Sequence, residues 1–319
     1  MNYKLEGTIN MIVAGIDIGT LTCRLLIAEV QADGSFRELE ADRRLLRLGE
    51  GLDETGSLGL PAMTRVVEAL SQWRGRISMR RAEATVVVAT SAVRDAKNQR
   101  EFLDRVKRET GFEVEVLSGT EEARRTLSGM KHGLLPQVDS LLGLDIGGGS
   151  TEFIRAFNDE RLQVASLNIG VVRLSERCLH ADPPEPQELA SAERIIRQEL
   201  ESIRSIAVDA TKATLVGTAG TITTLAAMAQ RLSHYESARI HNYWLSLETV
   251  CQLQKELCAR KAEERAQLPG LEPGREGVIV AGTVILRTVM GTFGFERCLV
   301  SDYGLREGII VECAERLRR

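Results

Sequence analysis

The hydrophobic pattern of the chain alternates between short apolar runs and longer segments whose apolar residues recur at helical spacing. The run ATVVVAT at 84–90 predicts a fully buried strand. Helical spacing after Pro61 predicts one helix, and a charged, periodic segment at Glu101–Thr110 predicts another that ends at Gly111. Because strands and helices alternate, the predicted fold class is α/β.

An internal repeat constrains the architecture further. The segment IVAGIDIGT at Ile12–Thr20 recurs as LLGLDIGGGST at Leu141–Thr151, and an apolar, strand-like segment follows each copy. Each copy predicts a β-hairpin with a tight Asp-x-Gly tip, at which glycine supplies backbone freedom. The repeat therefore predicts two units of similar fold within one chain.

Chain length supports a division into two domains. At 319 residues the chain exceeds the size at which one hydrophobic core usually stops growing. The predicted N-terminal domain comprises 11–126 plus about 304–319, and the predicted C-terminal domain comprises 127–303. Further predicted elements are a helix at Glu121–Leu134, a strand at Gln163–Asn168, a turn at Gly217–Thr221, a helix at Arg275–Met290 and a terminal helix at Leu305–Arg318 that could cross back onto the first domain.

Composition and charge argue against several functional classes. The chain is 43% hydrophobic and 27% charged, as in ordinary globular proteins, and its net charge of −4 argues against a general nucleic-acid binder. The most apolar stretch, Gly277–Leu286, is too short to span a membrane, and the N-terminus lacks a secretion signal, so the predicted location is the cytoplasm. The 6 cysteines and 4 histidines show neither CxxC nor HExxH spacing, so no zinc motif is predicted.

Arginine clusters in the first half offer places where a polyanion could bind. Either cluster could contact an anionic substrate or form a solvated surface, and the sequence leaves both interpretations open. The first cluster is Arg43, Arg44 and Arg47, and the second is Arg74, Arg76, Arg80 and Arg81.

Three glycine-rich turns have the composition of phosphate-binding loops. Phosphate oxygens bind to backbone N–H groups and small hydroxyl side chains, and glycine lets the backbone approach closely. A carboxylate beside phosphate requires a divalent cation between them, so Asp17 and Asp145 are predicted Mg²⁺ ligands. Together the turns predict a phosphate cleft between the domains. The candidate phosphate-binding residues are Asp17, Gly19, Thr20 and Thr22 in the first turn, Gly147, Gly148, Gly149, Ser150 and Thr151 in the second, and Gly217, Thr218, Gly220 and Thr221 in the third.

Six motifs form an ordered set that covers nearly the whole chain. They are TSAVRDAKN at Thr90–Asn98, SGTEEAR at Ser118–Arg124, DIGGGSTEF at Asp145–Phe153, NIGVVRL at Asn168–Leu174, GTAGTITTLA at Gly217–Ala226 and SDYGLREGI at Ser301–Ile309. This set resembles the exopolyphosphatase and guanosine pentaphosphate phosphohydrolase family, in the short form without a C-terminal helical domain. The resemblance implies the two-domain, duplicated actin-like ATPase fold, which is the ribonuclease H-like ASKHA fold.

The resemblance also implies an activity and roles for single residues. The implied reaction is metal-dependent hydrolysis of the terminal phosphoanhydride of polyphosphate or of guanosine pentaphosphate, an alarmone of the stringent response. Glu122 matches the catalytic residue that activates the attacking water. Asp145 and Glu152 match acidic catalytic residues at the metal, and Arg94 matches a basic residue that faces the phosphates. Mg²⁺ is the implied cofactor, and a homodimer is compatible with the family.

Alternatives to this interpretation stay open at the level of the sequence. Without the resemblance, Glu122 fits an exposed position in the first turn of a helix, and Arg94 fits a surface ion pair. A kinase of the same fold, or a nucleotide- or alarmone-binding sensor with little hydrolytic activity, would share the phosphate turns. Phosphate release from polyphosphate, ATP and guanosine pentaphosphate would separate the three.

Two departures from the family pattern bear on activity. The first turn carries Thr20-Leu21-Thr22 where the family commonly has Ser-Asn-Ser, and Gly277 stands where an aspartate is common. A leucine at position 21 either packs against the opposite domain or narrows the cleft, and one polar contact is missing. We expect a modest loss of catalytic efficiency that Leu21→Asn would restore.

Overall fold

Five strands form the first of two mixed β-sheets in the computed structural model, which describes residues 10–135, 138, 140–157, 161–207 and 213–318. In spatial order they are β3 (Phe36–Leu45), β2 (Thr22–Val30), β1 (Met11–Ile18), β4 (Ala84–Ala89) and β5 (Val114–Val116). Strand β1 pairs antiparallel with β2 and parallel with β4, so a meander and a parallel unit share one sheet.

The second sheet repeats this order and adds one antiparallel edge strand. In spatial order its strands are β8 (Leu162–Leu167), β7 (Thr151–Ala156), β6 (Leu141–Ile146), β9 (Thr214–Thr218), β11 (Arg297–Val300) and β10 (Trp244–Ser246). Strand β6 takes the place of β1, since it pairs antiparallel with β7 and parallel with β9. The predicted duplication is confirmed, and the chain has the two-domain, actin-like α/β fold.

Helices cover the sheets of both halves. The first half contains α1 (Leu52–Thr55), α2 (Leu60–Met79), α3 (Ser91–Asp95), α4 (Gln99–Thr110) and α5 (Gly119–Lys131). The second half contains α6 (Val171–Cys178), α7 (Pro186–Glu201), α8 (Arg204–Ala207), α9 (Ala219–Ala229), α10 (Ser237–Ile240), α11 (Leu247–Cys258), α12 (Ala262–Arg265), α13 (Ile279–Phe293) and α14 (Leu305–Arg318). Among the described residues, no helix is long and apolar enough to cross a membrane.

Each sheet has a hydrophobic core on the face that its own helices cover. In the first half, Ile16 of β1 belongs to the cluster that contains Trp73 of α2 and Phe102 of α4. In the second half, Phe153 of β7 belongs to a larger cluster with Ile285 of α13. Burial of these large side chains is the main favourable contribution to the stability of each half.

Two helices cover the opposite faces of the sheets and pack against each other. Helix α5 packs through Met130 on the second sheet, and α14 packs through Ile310 on the first sheet. Their backbones approach closely, since a Cβ atom on Gly308 would lie 1.8 Å from the carbonyl oxygen of Arg125. The predicted domain boundary between 126 and 127 falls inside α5, and it stays a prediction.

Several predicted elements have different limits in the structure. Strand β4 is only half-buried over its first three residues, so ATVVVAT does not form a fully buried strand. Helix α9 begins at Ala219, so the predicted turn at Gly217–Thr221 is a strand end followed directly by a helix. Helix α13 begins at Ile279 because the segment around Arg275 forms a turn, in which the Arg275 N–H donates to the Glu272 carbonyl.

Candidate functional site

The two hairpin turns of the repeat share one backbone hydrogen-bond pattern and line the same cleft. In the first turn the Gly19 N–H donates to the Thr22 carbonyl over 3.1 Å, and in the second the Gly147 N–H donates to the Ser150 carbonyl over 3.0 Å. The cleft that both turns line has an accessible volume of about 70 Å³.

Helix α6 binds the carbonyl groups of the second turn and leaves two backbone N–H groups of that turn facing away from the helix. The N–H groups of Val171 and Val172, in the first turn of α6, donate to the carbonyls of Gly147 and Gly148 over 3.0 and 2.8 Å. In a trans peptide the N–H points opposite to the preceding C=O, so the Gly148 and Gly149 amides face away from α6. No backbone hydrogen bond uses these two amides in the described part of the chain. Of the two residues, Gly148 lines the cleft, so its amide is available to an anion there.

The first turn is built on the same plan with different partners. The N–H groups of Leu46 and Arg47 donate to the Leu21 carbonyl, and the Gly49 N–H donates to the Thr20 carbonyl, each over 3.0 Å. The following amides of the turn therefore point away from this supporting segment. The two turns thus present N–H groups in related positions, which suits a ligand with several anionic oxygens.

Close approach, rather than backbone freedom, explains the glycines at these tips. The φ angles of Gly19, Gly148 and Gly149 lie outside the left-handed region, which corrects the expectation from the sequence. A Cβ on Gly149 would lie 2.7 Å from the Ser91 Oγ and 2.8 Å from the Thr20 Oγ1. A larger residue at position 149 would therefore require the Ser91 and Thr20 hydroxyl groups to shift.

The structure places most of the predicted site residues on the cleft wall. The remaining ones lie behind the wall, so any contact with a ligand in the cleft as shaped here would be indirect. The predicted residues that line the cleft are Asp17, Gly19, Thr20, Thr22, Glu122, Asp145, Gly147, Gly148, Ser150, Thr218 and Gly220, and those that do not are Arg94, Gly149, Thr151, Glu152, Gly217 and Thr221.

Glu122 is held at the cleft by local structure at the start of α5. Ser118 and Glu121 form a capping box, in which Ser118 Oγ accepts from the Glu121 N–H and Glu121 Oε2 accepts from the Ser118 N–H. This cap fixes the first turn and directs Glu122, which is 7% exposed, into the protein. The alternative interpretation of Glu122 as an exposed residue in the first turn of a helix is therefore wrong.

Arg94 contacts Glu122 rather than the open cleft. Its Nη1 donates to Glu122 Oε2 over 3.1 Å and to the Leu117 carbonyl over 2.9 Å. Burial, and then the negative charges of Glu152 and Asp145, raise the pKa of Glu122 well above its ordinary value, while Arg94 lowers it. A carboxylate in this environment is a stronger base than one in water.

Three further carboxyl groups lie near Glu122, of which Asp17 and Glu152 are buried and Asp145 is half-buried. Burial raises the pKa of Asp17 and of Asp145 to about 6, against the lowering effect of Arg24 on both. Burial, and then Asp145, raise the pKa of Glu152 to about 7, although Ser166 Oγ donates to Glu152 over 2.7 Å. Such clustered acidic groups favour either a bound proton or a bound cation.

The donor set fits a divalent cation held jointly with a ligand. Asp17 and Asp145 line the cleft, and Asp17 Oδ1 is buried with no hydrogen-bond partner among the described residues. No group of three His, Cys, Asp or Glu side chains in the described ranges could coordinate an ion by itself. Mg²⁺ commonly binds through one or two carboxylates, with water and phosphate oxygens as its other ligands, so the residues fit this ion.

The third glycine-rich segment, Gly217–Thr221, spans the end of β9 and the start of α9 and contains a strained residue. Ala219 has φ +69°, a conformation that is unfavourable for a residue with a Cβ. The next residue, Gly220, lies directly against the guanidinium of Arg275, and a Cβ there would be 1.8 Å from Arg275 Nη2. Ala219, Gly220 and Arg275 all line the cleft.

Several cleft residues are absent from the sequence-based set. For Arg24, the pairing of the hairpin was an available signal: Arg24 is opposite Asp17 in β1–β2, at the position that Glu152 takes opposite Asp145 in β6–β7. The others, except Leu21 of the first turn and Arg275, belong to the six quoted motifs, which were the available signal. These other residues are Leu21, Thr90, Ser91, Ile146, Val171, Ala219, Arg275, Gly304 and Leu305.

The arginine clusters are largely engaged by acidic partners within the protein. Arg76 pairs with Glu40 and Asp42, and Arg80 pairs with Glu40 over 2.7 Å. Arg43 pairs with Glu272 of the second half over 2.6 Å. These contacts favour structural ion pairs over a surface that is free to bind a polyanion.

Leu21 packs against the opposite half of the molecule. It is 4% exposed and belongs to the hydrophobic cluster of the second half, which also contains Ile146 and Val171. Of the two placements expected for this residue, contact with the other domain is observed, and Leu21 also lines the cleft.

The fold and site together define an actin-like protein with an acidic, amide-lined cleft between its two halves. Comparisons with known proteins narrow this class. Residues 26–317 match the model of the Ppx/GppA phosphatase family, so the chain belongs to that family.

Individual relatives are similar over nearly their whole length. Exopolyphosphatase 2 of Mycobacterium tuberculosis is 35% identical over 315 residues, which cover 95% of this chain and 98% of the relative. The crystal structure of the Aquifex aeolicus family member is 32% identical with a TM-score of 0.80, covering 97% of this chain and 99% of that one. An exopolyphosphatase structure from Cytophaga hutchinsonii is 28% identical with a TM-score of 0.88, covering 96% and 98%.

Proposed function

We propose that this protein hydrolyses the terminal phosphoanhydride bond of inorganic polyphosphate, of guanosine pentaphosphate or of both, with Mg²⁺, and releases orthophosphate. The observation that carries the proposal is the buried Glu122 carboxylate, which lines the same cleft as two turns with free amides. Similarity to exopolyphosphatases supports this substrate class.

Glu122 has the properties of a general base for water. Its raised pKa strengthens its affinity for a proton, and Arg94 holds the carboxylate in one orientation. In the proposed step, a water proton transfers to Glu122 as the water oxygen bonds to the terminal phosphorus. The bond from that phosphorus to the bridging oxygen breaks, and its electron pair stays on the shortened chain.

The turns supply binding and charge neutralisation in this proposal. Amides of the turns that contain Gly19 and Gly148 would donate to the phosphate oxygens, and the Thr20, Thr22 and Ser150 hydroxyls lie on the same wall. A divalent cation at Asp17 and Asp145 would offset the charge of the phosphate oxygens and of the clustered carboxylates. Positioning and electrostatics of this kind supply most of the catalysis of phosphoryl transfer.

Phosphate release is the direct test of the proposed function. The purified protein would be incubated with long-chain polyphosphate, guanosine pentaphosphate and ATP, each with Mg²⁺ and with EDTA. We expect release of orthophosphate from polyphosphate, from guanosine pentaphosphate or from both in the presence of Mg²⁺, and no release in EDTA. Binding of these ligands without phosphate release would instead support a sensor, and transfer of phosphate to an acceptor other than water would support a kinase.

A further inference from the structure

Arg173 joins three parts of the site that are distant in sequence. It lies in α6 of the second half and is 14% exposed as a side chain. Its Nε donates to the Gly149 carbonyl over 3.1 Å, its Nη1 to Asp53 over 3.0 Å, and its Nη2 to Asp95 over 2.8 Å. One guanidinium therefore binds the second turn and two short helices of the first half, α1 and α3, with all three of its nitrogens.

Each partner of Arg173 connects directly to the candidate chemistry. Gly149 belongs to the second turn, whose amides face away from α6. Asp53 belongs to α1, which follows Gly49, and Gly49 supports the first turn through its N–H bond to the Thr20 carbonyl. Asp95 follows Arg94, whose Nε lies 3.7 Å from Asp95 Oδ1 and whose Nη1 donates to Glu122.

Two neighbours of Arg173 on α6, Glu176 and Arg177, also bind residues of the first half. Arg177 donates to Asp53 over 2.7 Å, and Glu176 accepts a hydrogen bond of 3.0 Å from the Gly51 N–H. The hydrogen bond from Arg177 is the largest cause of the lowered pKa of Asp53, and the charges of Arg177 and Arg173 add to it against the raising effect of burial. The contacts of Arg173, Glu176 and Arg177 with the first half, here called the joint, thus combine several charged hydrogen bonds between the two halves.

We propose that Arg173 is a positioning residue that fixes the two phosphate turns and the Arg94–Glu122 pair in one arrangement. The kinetic consequence of this inference rests on the proposed function, and its structural consequence rests on the observed contacts alone. A displacement of about 1 Å between a base and its substrate can cost about two orders of magnitude in rate. The loss on removing Arg173 should therefore appear in kcat more than in KM.

The test compares Arg173→Ala with Arg287→Ala as a matched control. Arg287 forms an ion pair of 2.5 Å with Glu193 inside the second half. Its loss therefore removes one ion pair and leaves the contacts between the two halves in place. We expect Arg173→Ala to lower kcat for polyphosphate by about tenfold or more, with KM changed by less than about threefold. Arg287→Ala should leave kcat and KM at the wild-type values.

A double-mutant cycle with Asp95→Ala tests the route of the effect. If Arg173 acts through Asp95 on Arg94 and Glu122, then Arg173→Ala should lower kcat less in the Asp95→Ala background than in the wild type. Fully additive losses would overturn the proposed connection to the Arg94–Glu122 pair.

Hydrogen exchange supplies a measurement that needs no activity. In the ligand-free protein, Arg173→Ala should accelerate amide exchange in 49–55 and at the hydrogen-bonded Gly147, Val171 and Val172 amides, while Arg287→Ala should not. If Arg173→Ala left exchange unchanged in these places, Arg173 would not hold them together. If it accelerated exchange while kcat stayed at the wild-type value, the positioning role would be wrong. If the wild type hydrolyses none of the substrates, the proposed function fails while the exchange result still decides on the joint.

Discussion

Arg94 donates a hydrogen bond of 3.1 Å to Glu122, and the same nitrogen donates to the Leu117 carbonyl. The carbonyl fixes the guanidinium, and the guanidinium in turn fixes the carboxylate. A buried base whose orientation is set in this way loses little freedom when a substrate binds. The arrangement gives distinct kinetic expectations for the two residues.

Glu122→Gln should lower turnover by about 10²-fold or more, because an amide cannot accept the proton of the attacking water. The melting temperature should not fall, since the change removes a buried charge that burial and like charges disfavour. Glu121→Gln is the matched control, because glutamine at that position preserves the capping box. Phosphate release and thermal unfolding measure both variants, and equal turnover in the two would remove Glu122 from the mechanism.

Arg94→Ala should lower kcat with a small change in KM, because the structure directs the guanidinium at Glu122 and not into the cleft. The family resemblance instead implies contact with the phosphates, which would raise KM more than it lowers kcat. Steady-state kinetics with polyphosphate distinguish the two roles. A rise in KM at constant kcat would show that Arg94 binds substrate.

Without metal, the protein should lose stability as pH rises from about 4 to about 7. Asp17, Asp145 and Glu152 have folded-state pKa values of about 6, 6 and 7, above their ordinary values of 3.8, 3.8 and 4.5. The folded state therefore binds more protons than the unfolded state in this window, and the stability present below pH 4 is lost as pH rises through the folded pKa values.

Thermal unfolding in EDTA at pH 5 and pH 8 measures this loss, and added Mg²⁺ should raise the melting temperature more at pH 8 than at pH 5. Asp145→Asn is the control, since it should reduce both the pH effect and the Mg²⁺ effect. A melting temperature in EDTA that rises between pH 5 and pH 8, together with no response to Mg²⁺, would contradict the assignment of these carboxylates.

Leu21→Asn should lower the free energy of unfolding by about 3 kcal/mol, because it replaces buried apolar contacts with an amide inside the core of the second half. The structure therefore replaces the expectation that this change restores activity with one of no gain in kcat/KM. Leu21→Met, which nearly conserves volume, is the control. A gain of about fivefold at unchanged stability would show that an amide at position 21 reaches the cleft.

The sequence by itself determined the features that depend on local patterns. The repeat of IVAGIDIGT and LLGLDIGGGST predicted two hairpins, which occur at β1–β2 and β6–β7. Helical periodicity with Gly111 predicted the end of α4, and the terminal helix occurs at its predicted limits, Leu305–Arg318. Such elements can be predicted because their hydrogen bonds and capping groups come from residues close together in the chain.

The tertiary structure alone decided how these elements meet. No spacing in the sequence indicates that Arg173 binds Gly149, Asp53 and Asp95, or that Arg275 lies against Gly220. The raised pKa of Glu122 likewise depends on burial and on charges from other elements. Clearance, burial and electrostatic potential are set by distances in space between residues far apart in the chain, and these distances exist only once the two halves have packed together.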